Sequence, residues 1–260
     1  MSCDEAVQLS LILPAFNEGP AVVEAVERHV ACLSKLEISY EIVIVNDGSS
    51  DNTPELSQEA VKRFCGVRVL TNPRNRGQAA SILRGFLESH GRVVMHNGMD
   101  MPFHPSDIER VWNEISLGAD VVVVERRNRE AYGWFRKVTS WCNIALVKLL
   151  FESPFVDHNF VQAYSRRVID SIVVESAGVS TVTTELILKA LRLGYRVRCL
   201  EADYRPRRRG QSTISGKKIV RTIIELLKLY RIMRTFAKGT VPVRDRERRT
   251  KGPSLSRESP

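Results

Sequence analysis

The chain has 260 residues, 43% of them hydrophobic and 27% charged, with a formal net charge of +9 at pH 7. This is an ordinary globular composition with enough length for one α/β domain plus additions, which sets fibrous and wholly disordered classes aside. The charge is uneven: residues 205–251 hold sixteen Lys and Arg against Glu225, Asp245 and Glu247, a local +13, while the first 204 residues sum to −4. Such asymmetry predicts an anionic partner: phosphate-bearing substrate, membrane surface or nucleic acid.

In chain order, "VQLSLILPAF" is an apolar run of strand length. "NEGPAVVEAVERHVACLSKL" follows with Val22, Val23, Val26, Val30 and Leu33 on one helical stripe. "YEIVIVN" is a second strand, closed by the turn residues "DGSSDNT", and "PELSQEAVKRF" is a helix with Pro54 near its start. Strand "VRVLTN", helix "RGQAASILRGFLESH", strand "RVVMHN", helix "HPSDIERVWNEISLG" and strand "ADVVVVERR" continue the alternation. Strands alternating with helices of this length predict a doubly wound, mainly parallel α/β sheet.

Beyond Arg127 the alternation weakens. "WFRKVTSWCNIALVKLLF" reads as helical, "VDHNFVQAYSRRVIDSIV" as a short strand or loop and then a helix, "TTELILKALRLG" as a helix stopped by Gly194, and "YRVRCLEADY" as a strand. Residues 216–240 form a basic amphipathic helix with Ile219, Ile223, Leu226, Leu227, Tyr230, Met233 and Phe236 among Lys and Arg. Residues 241–260 read as a disordered basic tail.

Five cysteines, Cys3, Cys32, Cys65, Cys142 and Cys199, are odd in number, widely spaced and free of CxxC pairs. They read as reduced thiols, mostly packing residues, in a cytosolic setting. The acidic opening "MSCDEAVQ" is no signal peptide, and no window of about 18 uncharged apolar residues predicts a spanning helix. The basic tail lacks interleaved aromatics for base stacking, so nucleic acid is not expected as a partner.

In doubly wound sheets ligands sit beyond the carboxyl ends of the strands. That edge gathers Asn17–Glu18, Asn46–Asp47, Asn72–Gly77, Asp100 and Arg126, each after a different predicted strand. A carboxylate at a strand end accepts hydrogen bonds from a base or ribose, and glycine lets the backbone turn beside a ligand.

The order "LPAFNEG", "VNDGSSDNT", "NRGQAASILRGF", "GMDMPFHP" resembles the family-two inverting glycosyltransferases of GT-A fold, and most of all the polyprenyl-phosphate sugar synthases. The likeness runs from about Leu9 to about Leu229. It implies a GT-A domain over 7–215 and a nucleotide-sugar site formed by Pro14, Phe16, Glu18, Asp47, Asn75, Gly77 and Asp100. It also implies a Mg²⁺ or Mn²⁺ held through hard oxygen ligands. Gly98 stands where the family has its first Asp, Asn46 replaces the first Asp of "DDGS", and Pro102 stands where a Gln is usual, so Asp100 is the one obvious metal ligand. Arg126, Arg136, Ser140 and Arg207 match the residues that grip donor diphosphate and acceptor phosphate, with Thr213 where Lys is usual.

Asp157 and Tyr164 fit the family's next segment loosely, and Glu185 matches an acidic residue near the acceptor. Glu185 is a base if the acceptor is a hydroxyl, but an anionic phosphate acceptor needs none. The implied reaction moves a sugar from a GDP- or UDP-linked donor to a polyprenyl phosphate with inversion. The alternative is a degenerate relative that binds nucleotide or lipid phosphate without turnover. The 216–240 helix, with Lys217, Lys218, Arg221, Lys228, Arg231 and Arg234, either lies on an anionic membrane surface or docks on the catalytic domain. The expected location is cytoplasmic, peripheral at the membrane's cytoplasmic face.

Overall fold

A computed structural model describes residues 6–127, 144–178, 180–204 and 216–236; in 216–219 only the backbone is described. The elements are β1 Leu9–Ala15, α1 Gly19–Leu33, β2 Tyr40–Asn46, α2 Thr53–Arg63, β3 Val67–Thr71, α3 Gln78–Glu88, β4 Val93–His96, α4 Ile108–Ser116 and β5 Val121–Arg126. After helical residues 144–151 come β6 Val161–Ser165, α5 Arg166–Ser171, α6 Val182–Arg192, β7 Val197–Ala202 and α7 Gly216–Thr235.

One seven-stranded sheet runs in the order β3-β2-β1-β4-β6-β5-β7. All pairs are parallel except those made by β6, which inserts antiparallel between β4 and β5. The mainly parallel α/β reading therefore holds, with one reversed strand in its middle.

Strand residues alternate between two buried faces, as period-2 geometry demands. Leu9, Leu11, Leu13, Ile42, Ile44, Met95, Val122 and Val124 pack on the side covered by α1, α2 and α4. Ile12, Val43, Val45, Val94, Val121 and Val123 pack on the opposite side with Phe86 of α3, Ile169 of α5 and Leu186 and Ile187 of α6. Burying each such side chain contributes about 1.5–3 kcal/mol, so continuous apolar runs belong in the sheet's centre.

Gly194 has φ 79 and stops α6, as expected. The packing role expected of the cysteines is not seen at Cys65 and Cys199, which are exposed, while Cys32 is half-buried and all three are free thiols. Cys65 sits in the α2–β3 turn and Cys199 on the edge strand β7, where a side chain has no second layer above it. Cys3 and Cys142 lie outside the described residues.

α7 carries two apolar stripes. Leu226, Leu229 and Met233 are buried, the last two against Leu188 and Phe151. Val220, Ile223, Ile224 and Leu227, spaced i, i+3, i+4, i+7, are 42–57% exposed on the other side. The helix is tied to α6 by Arg192, which donates to the carbonyl of Met233, and by Lys189 over the Phe236 ring at 4.9 Å.

Candidate active site

The strand ends are level. Ala15 pairs with Asn46, and Ile12 pairs with His96, so Ala15 stands at the height of position 99. Met95 and Val122 both face Ala163 of β6, so Arg126 also reaches the height of position 99. Three motif segments and Arg126 therefore leave the sheet at one edge, with Arg126 two strand spacings, about 10 Å, beyond β4.

A cleft of about 200 Å³ opens at this edge, lined by Pro14, Phe16, Glu18, Asp47, Asn75, Gly77 and Asp100. All seven expected nucleotide-sugar residues thus share one cavity. Ala15, Gln78, Gly98 and Met99 complete the wall; of these the sequence drew attention only to Gly98, because the others occupy positions inside the motifs where the pattern specifies no residue type. Phe16 is 45% exposed, which leaves its ring face available for stacking on a flat ligand.

The turn motifs hold one another. Asn46 Oδ1 accepts the Ser49 N–H at 3.0 Å, a task that needs an acceptor and no charge, so Asn serves there as Asp would. The Asn17 N–H donates to Ser49 Oγ at 3.0 Å, and the Ser50 N–H donates to Asn17 Oδ1 at 2.9 Å. Asp51 accepts from the Thr53 hydroxyl at 2.6 Å, the Thr53 N–H at 3.0 Å and the Gly19 N–H at 3.2 Å, joining the starts of α1 and α2. Gly48 (φ 69) lies so close to the backbone of Arg74 and Asn75 that an added Cβ would come within 2.6 Å.

Asp47 is 2% exposed. Its Oδ1 accepts from Asn72 Nδ2 at 2.7 Å and the Arg76 N–H at 2.9 Å, and its Oδ2 accepts the Gly77 N–H at 2.8 Å. A carboxylate offers about four acceptor positions, so the protein fills three of them. Asp47 shapes the 75–77 wall of the cleft through these bonds. Gly77 (φ 89) meets nothing within 4 Å at its absent Cβ, so the demand for glycine there is conformational, not steric.

Asp100 is half-buried in the turn after β4 and faces the cleft. A Cβ at Gly98 would lie 2.4 Å from Asp100 Oδ1 and 3.0 Å from Pro102 Cδ. The space of a first aspartate is thus taken by the second carboxylate and the proline ring. Among the described residues no three His, Cys, Asp or Glu side chains cluster as a metal site. The donor set fits Mg²⁺ or Mn²⁺ as a single hard protein oxygen, with a ligand's diphosphate and water filling the rest. His96 is not a ligand in this arrangement: it is buried, bonded through Nε2 to Gln162 Oε1 at 2.7 Å, and burial brings its pKa down to about 4.

Arg126 does not line the cleft; Asp157 engages it from both sides of the fork, Nε to Oδ2 at 2.5 Å and Nη2 to Oδ1 at 2.9 Å. Its guanidinium also lies 5.2 Å from the Phe160 ring centre and 5.6 Å from that of Tyr204. Arg136, Ser140 and Arg207 lie outside the described residues, as do Thr213 and the 241–260 tail.

Glu185 is fully buried, with three donors on its carboxylate. It accepts the N–H groups of Glu175 and Ser176 at 2.9 and 2.8 Å, and Lys189 Nζ lies 2.6 Å from its Oε1. That geometry anchors the 173–176 segment and leaves the carboxylate no access to an acceptor hydroxyl.

A cleft lined by these motif residues at the carboxyl edge of a mainly parallel sheet is the arrangement of the GT-A nucleotide-sugar transferases. The chain belongs to glycosyl transferase family 2, whose model matches residues 10–173. It is 29% identical over 223 residues to the undecaprenyl-phosphate 4-deoxy-4-formamido-L-arabinose transferase of Proteus mirabilis (strain HI4320), covering 85% of this chain and 67% of that one. The transferase of the same name from Sodalis glossinidius (strain morsitans) is 33% identical over 168 residues, 64% of this chain and 51% of that one. The chain thus spans between about half and two thirds of these relatives.

In structure it is similar to glucosyl-3-phosphoglycerate synthase of Mycobacterium tuberculosis in complex with Mn²⁺, UDP and phosphoglyceric acid, with TM-score 0.68, 21% identity, and 86% and 78% of the two chains covered. Mannosyl-3-phosphoglycerate synthase of Rubrobacter xylanophilus matches with TM-score 0.68, 18% identity, and 96% and 78% covered. These likenesses establish the fold. The transferase names of the relatives lend nothing to the binding-only alternative. No helix among the described residues is long and apolar enough to cross a membrane.

Proposed function

We propose that the protein transfers a sugar from a GDP- or UDP-linked donor to a polyprenyl phosphate, with inversion. The observation that carries this reading is the convergence of Pro14, Phe16, Glu18, Asp47, Asn75, Gly77 and Asp100 on one cleft. The names of the undecaprenyl-phosphate transferases supply the acceptor class.

Phe16 offers its exposed ring to the base, and Glu18 and the last acceptor position of Asp47 address base and ribose. Asp100 holds Mg²⁺ or Mn²⁺, which when bound neutralises the departing diphosphate. Exposed Arg76, between the cleft residues Asn75 and Gly77 and with its N–H fixed by Asp47, is suited to meet diphosphate oxygens. On the family resemblance Arg136 and Arg207 neutralise donor and acceptor phosphates and Ser140 hydrogen-bonds to one of them, whereas Arg126, whose charge is met by Asp157, serves phosphate only if that pair opens. The acceptor phosphate is already anionic, so its oxygen attacks the anomeric carbon opposite the leaving diphosphate without a general base. Preorganised positive charge on that diphosphate is the main rate term.

The acceptor's lipid character requires contact with a bilayer. The exposed stripe Val220, Ile223, Ile224 and Leu227, flanked by Arg221 and Lys228 and followed by Arg231 and Arg234, suits insertion among anionic headgroups. On this reading α7 docks on the body with one stripe and on the membrane with the other.

The test is transfer from radiolabelled UDP- and GDP-sugars to undecaprenyl phosphate by the unaltered protein and Asp100→Ala. The variant is expected to lose about 100-fold or more, and EDTA to silence the unaltered protein. Activity that survives both removes the metal assignment. Absence of transfer from any donor removes the whole reading.

A further inference from the structure

Between α1 and the turn that carries Asp100 lies a buried polar group that no motif announces. His29, on α1, and Asn97, just after β4, are both fully buried. Asn97 Oδ1 accepts the Gly98 N–H at 2.9 Å, which fixes the orientation of the amide. Its Nδ2 then donates to the Phe103 carbonyl at 2.9 Å and points at His29 Nε2, 3.0 Å away. His29 Nδ1 lies 2.7 Å from the Ala25 carbonyl, which can only accept. The count of donors and acceptors therefore closes in one way: Nδ1 carries the proton and Nε2 accepts from Asn97. Burial favours the same neutral ring by lowering the His29 pKa to about 4.

The consequence lies in where Asn97 reaches. It bonds to residue 98 on one side of Asp100 and to residue 103 on the other, so it closes the turn into a ring around that carboxylate. Inside the ring the Met101 N–H donates to the Gly98 carbonyl at 2.9 Å, and Met101 is held at φ 50, a left-handed conformation that costs a residue with a Cβ. A turn under that strain keeps its shape only while its surroundings over-determine it. His29 is the one side-chain partner of the Asn97 amide outside the turn among the bonds described.

We infer that His29 is a positioning residue: by holding the Asn97 amide it fixes the 97–103 turn and the direction of the Asp100 carboxylate. The inference rests on the reading of Asp100 as metal ligand. A histidine there for packing alone would tolerate an apolar replacement with no effect on Asp100.

His29→Leu removes the acceptor, and His29→Gln restores one through Oε1. Mn²⁺ binding in the presence of UDP or GDP, followed by the electron paramagnetic resonance of free Mn²⁺, is the readout, with circular dichroism to measure the folded fraction. His29→Leu is expected to weaken Mn²⁺–nucleotide binding about 10-fold or more per folded molecule, and His29→Gln to recover most of it. Unchanged binding in His29→Leu overturns the inference. Should His29→Leu not fold, ¹⁵N-histidine spectra of the unaltered protein decide: the His29 Nε2 resonance is expected to shift on adding Mg²⁺ with UDP or GDP, and a resonance that stays put overturns the inference. Asp100→Asn separates the two readings. If it keeps Mn²⁺ binding, the metal reading fails and this inference with it; if it loses binding while His29→Leu keeps it, only this inference fails.

Discussion

The carboxylate of Asp47 receives the backbone N–H of Gly77 at 2.8 Å, across thirty positions of sequence. That bond couples the end of β2 to the entry of α3 and sets one wall of the cleft. Asp47→Asn turns one of the two oxygens into a donor that faces Asn72 Nδ2 and the Arg76 N–H or the Gly77 N–H. A cost of about 1–3 kcal/mol in stability is expected, with a loss of UDP or GDP affinity. Urea unfolding and nucleotide titration measure the two; unchanged affinity would show that this wall does not touch the nucleotide.

Glu185 separates structure from catalysis. Glu185→Gln is expected to destabilise by about 1–3 kcal/mol, because the buried Glu175 and Ser176 N–H groups lose a charged acceptor while Lys189 keeps Glu175 at 2.8 Å. The turnover of the molecules that remain folded should match that of the unaltered protein. A fall in kcat at full folding would give Glu185 a chemical role.

Acid should weaken the fold earlier than carboxylates alone would make it. Burial lowers His29, His96 and His158 from 6.5 to about 4. As pH drops through 6.5 the unfolded chain gains protons at these rings and the folded chain does not, so stability falls between pH 6.5 and about 4. The loss is about 2 kcal/mol per histidine by pH 5. Glu41 extends the trend. Its burial opposes ionisation, but Arg68, the His90 N–H and Ser10 outweigh burial and hold it at about 2. Its contribution is present above about 4.5 and is lost toward 2. Urea midpoints at pH 7.5, 6 and 5 test the histidine window; a flat profile would contradict it.

Ile223→Glu with Leu227→Glu should cut sedimentation with phosphatidylglycerol vesicles at least about tenfold, since each swap replaces insertion by a charge. The melting temperature should stay within a few degrees, because neither residue belongs to the buried stripe. Equal vesicle binding by both proteins would assign the exposed stripe to something other than lipid.

The centre of the sheet was legible because β1, β2, β4 and most of β5 are buried on both faces and so read as apolar runs, from "SLILPA" to "VVVV". The cleft was legible because each motif abuts a strand end. What stayed hidden depends on contacts far along the chain. β6 is five residues long, and nothing in "VQAYS" says that it will run backwards between β4 and β5. Arg126 reads as a free cation until Asp157, thirty-one positions on, folds beside it. His29 looks like any helical residue between Arg28 and Val30; its role exists only because Asn97 arrives from sixty-eight positions away.

The double-sided helix at the end of the described chain also bears on how little of this protein can be dispensed with. Trimming it away at Gly216 would leave Leu188 and Phe151 bare, deprive Arg192 of the Met233 carbonyl and take the Phe236 ring from Lys189. What remained would be a wounded globule with a greasy scar, prone to clump, so α7 and the α/β body stand or fall as one folding unit.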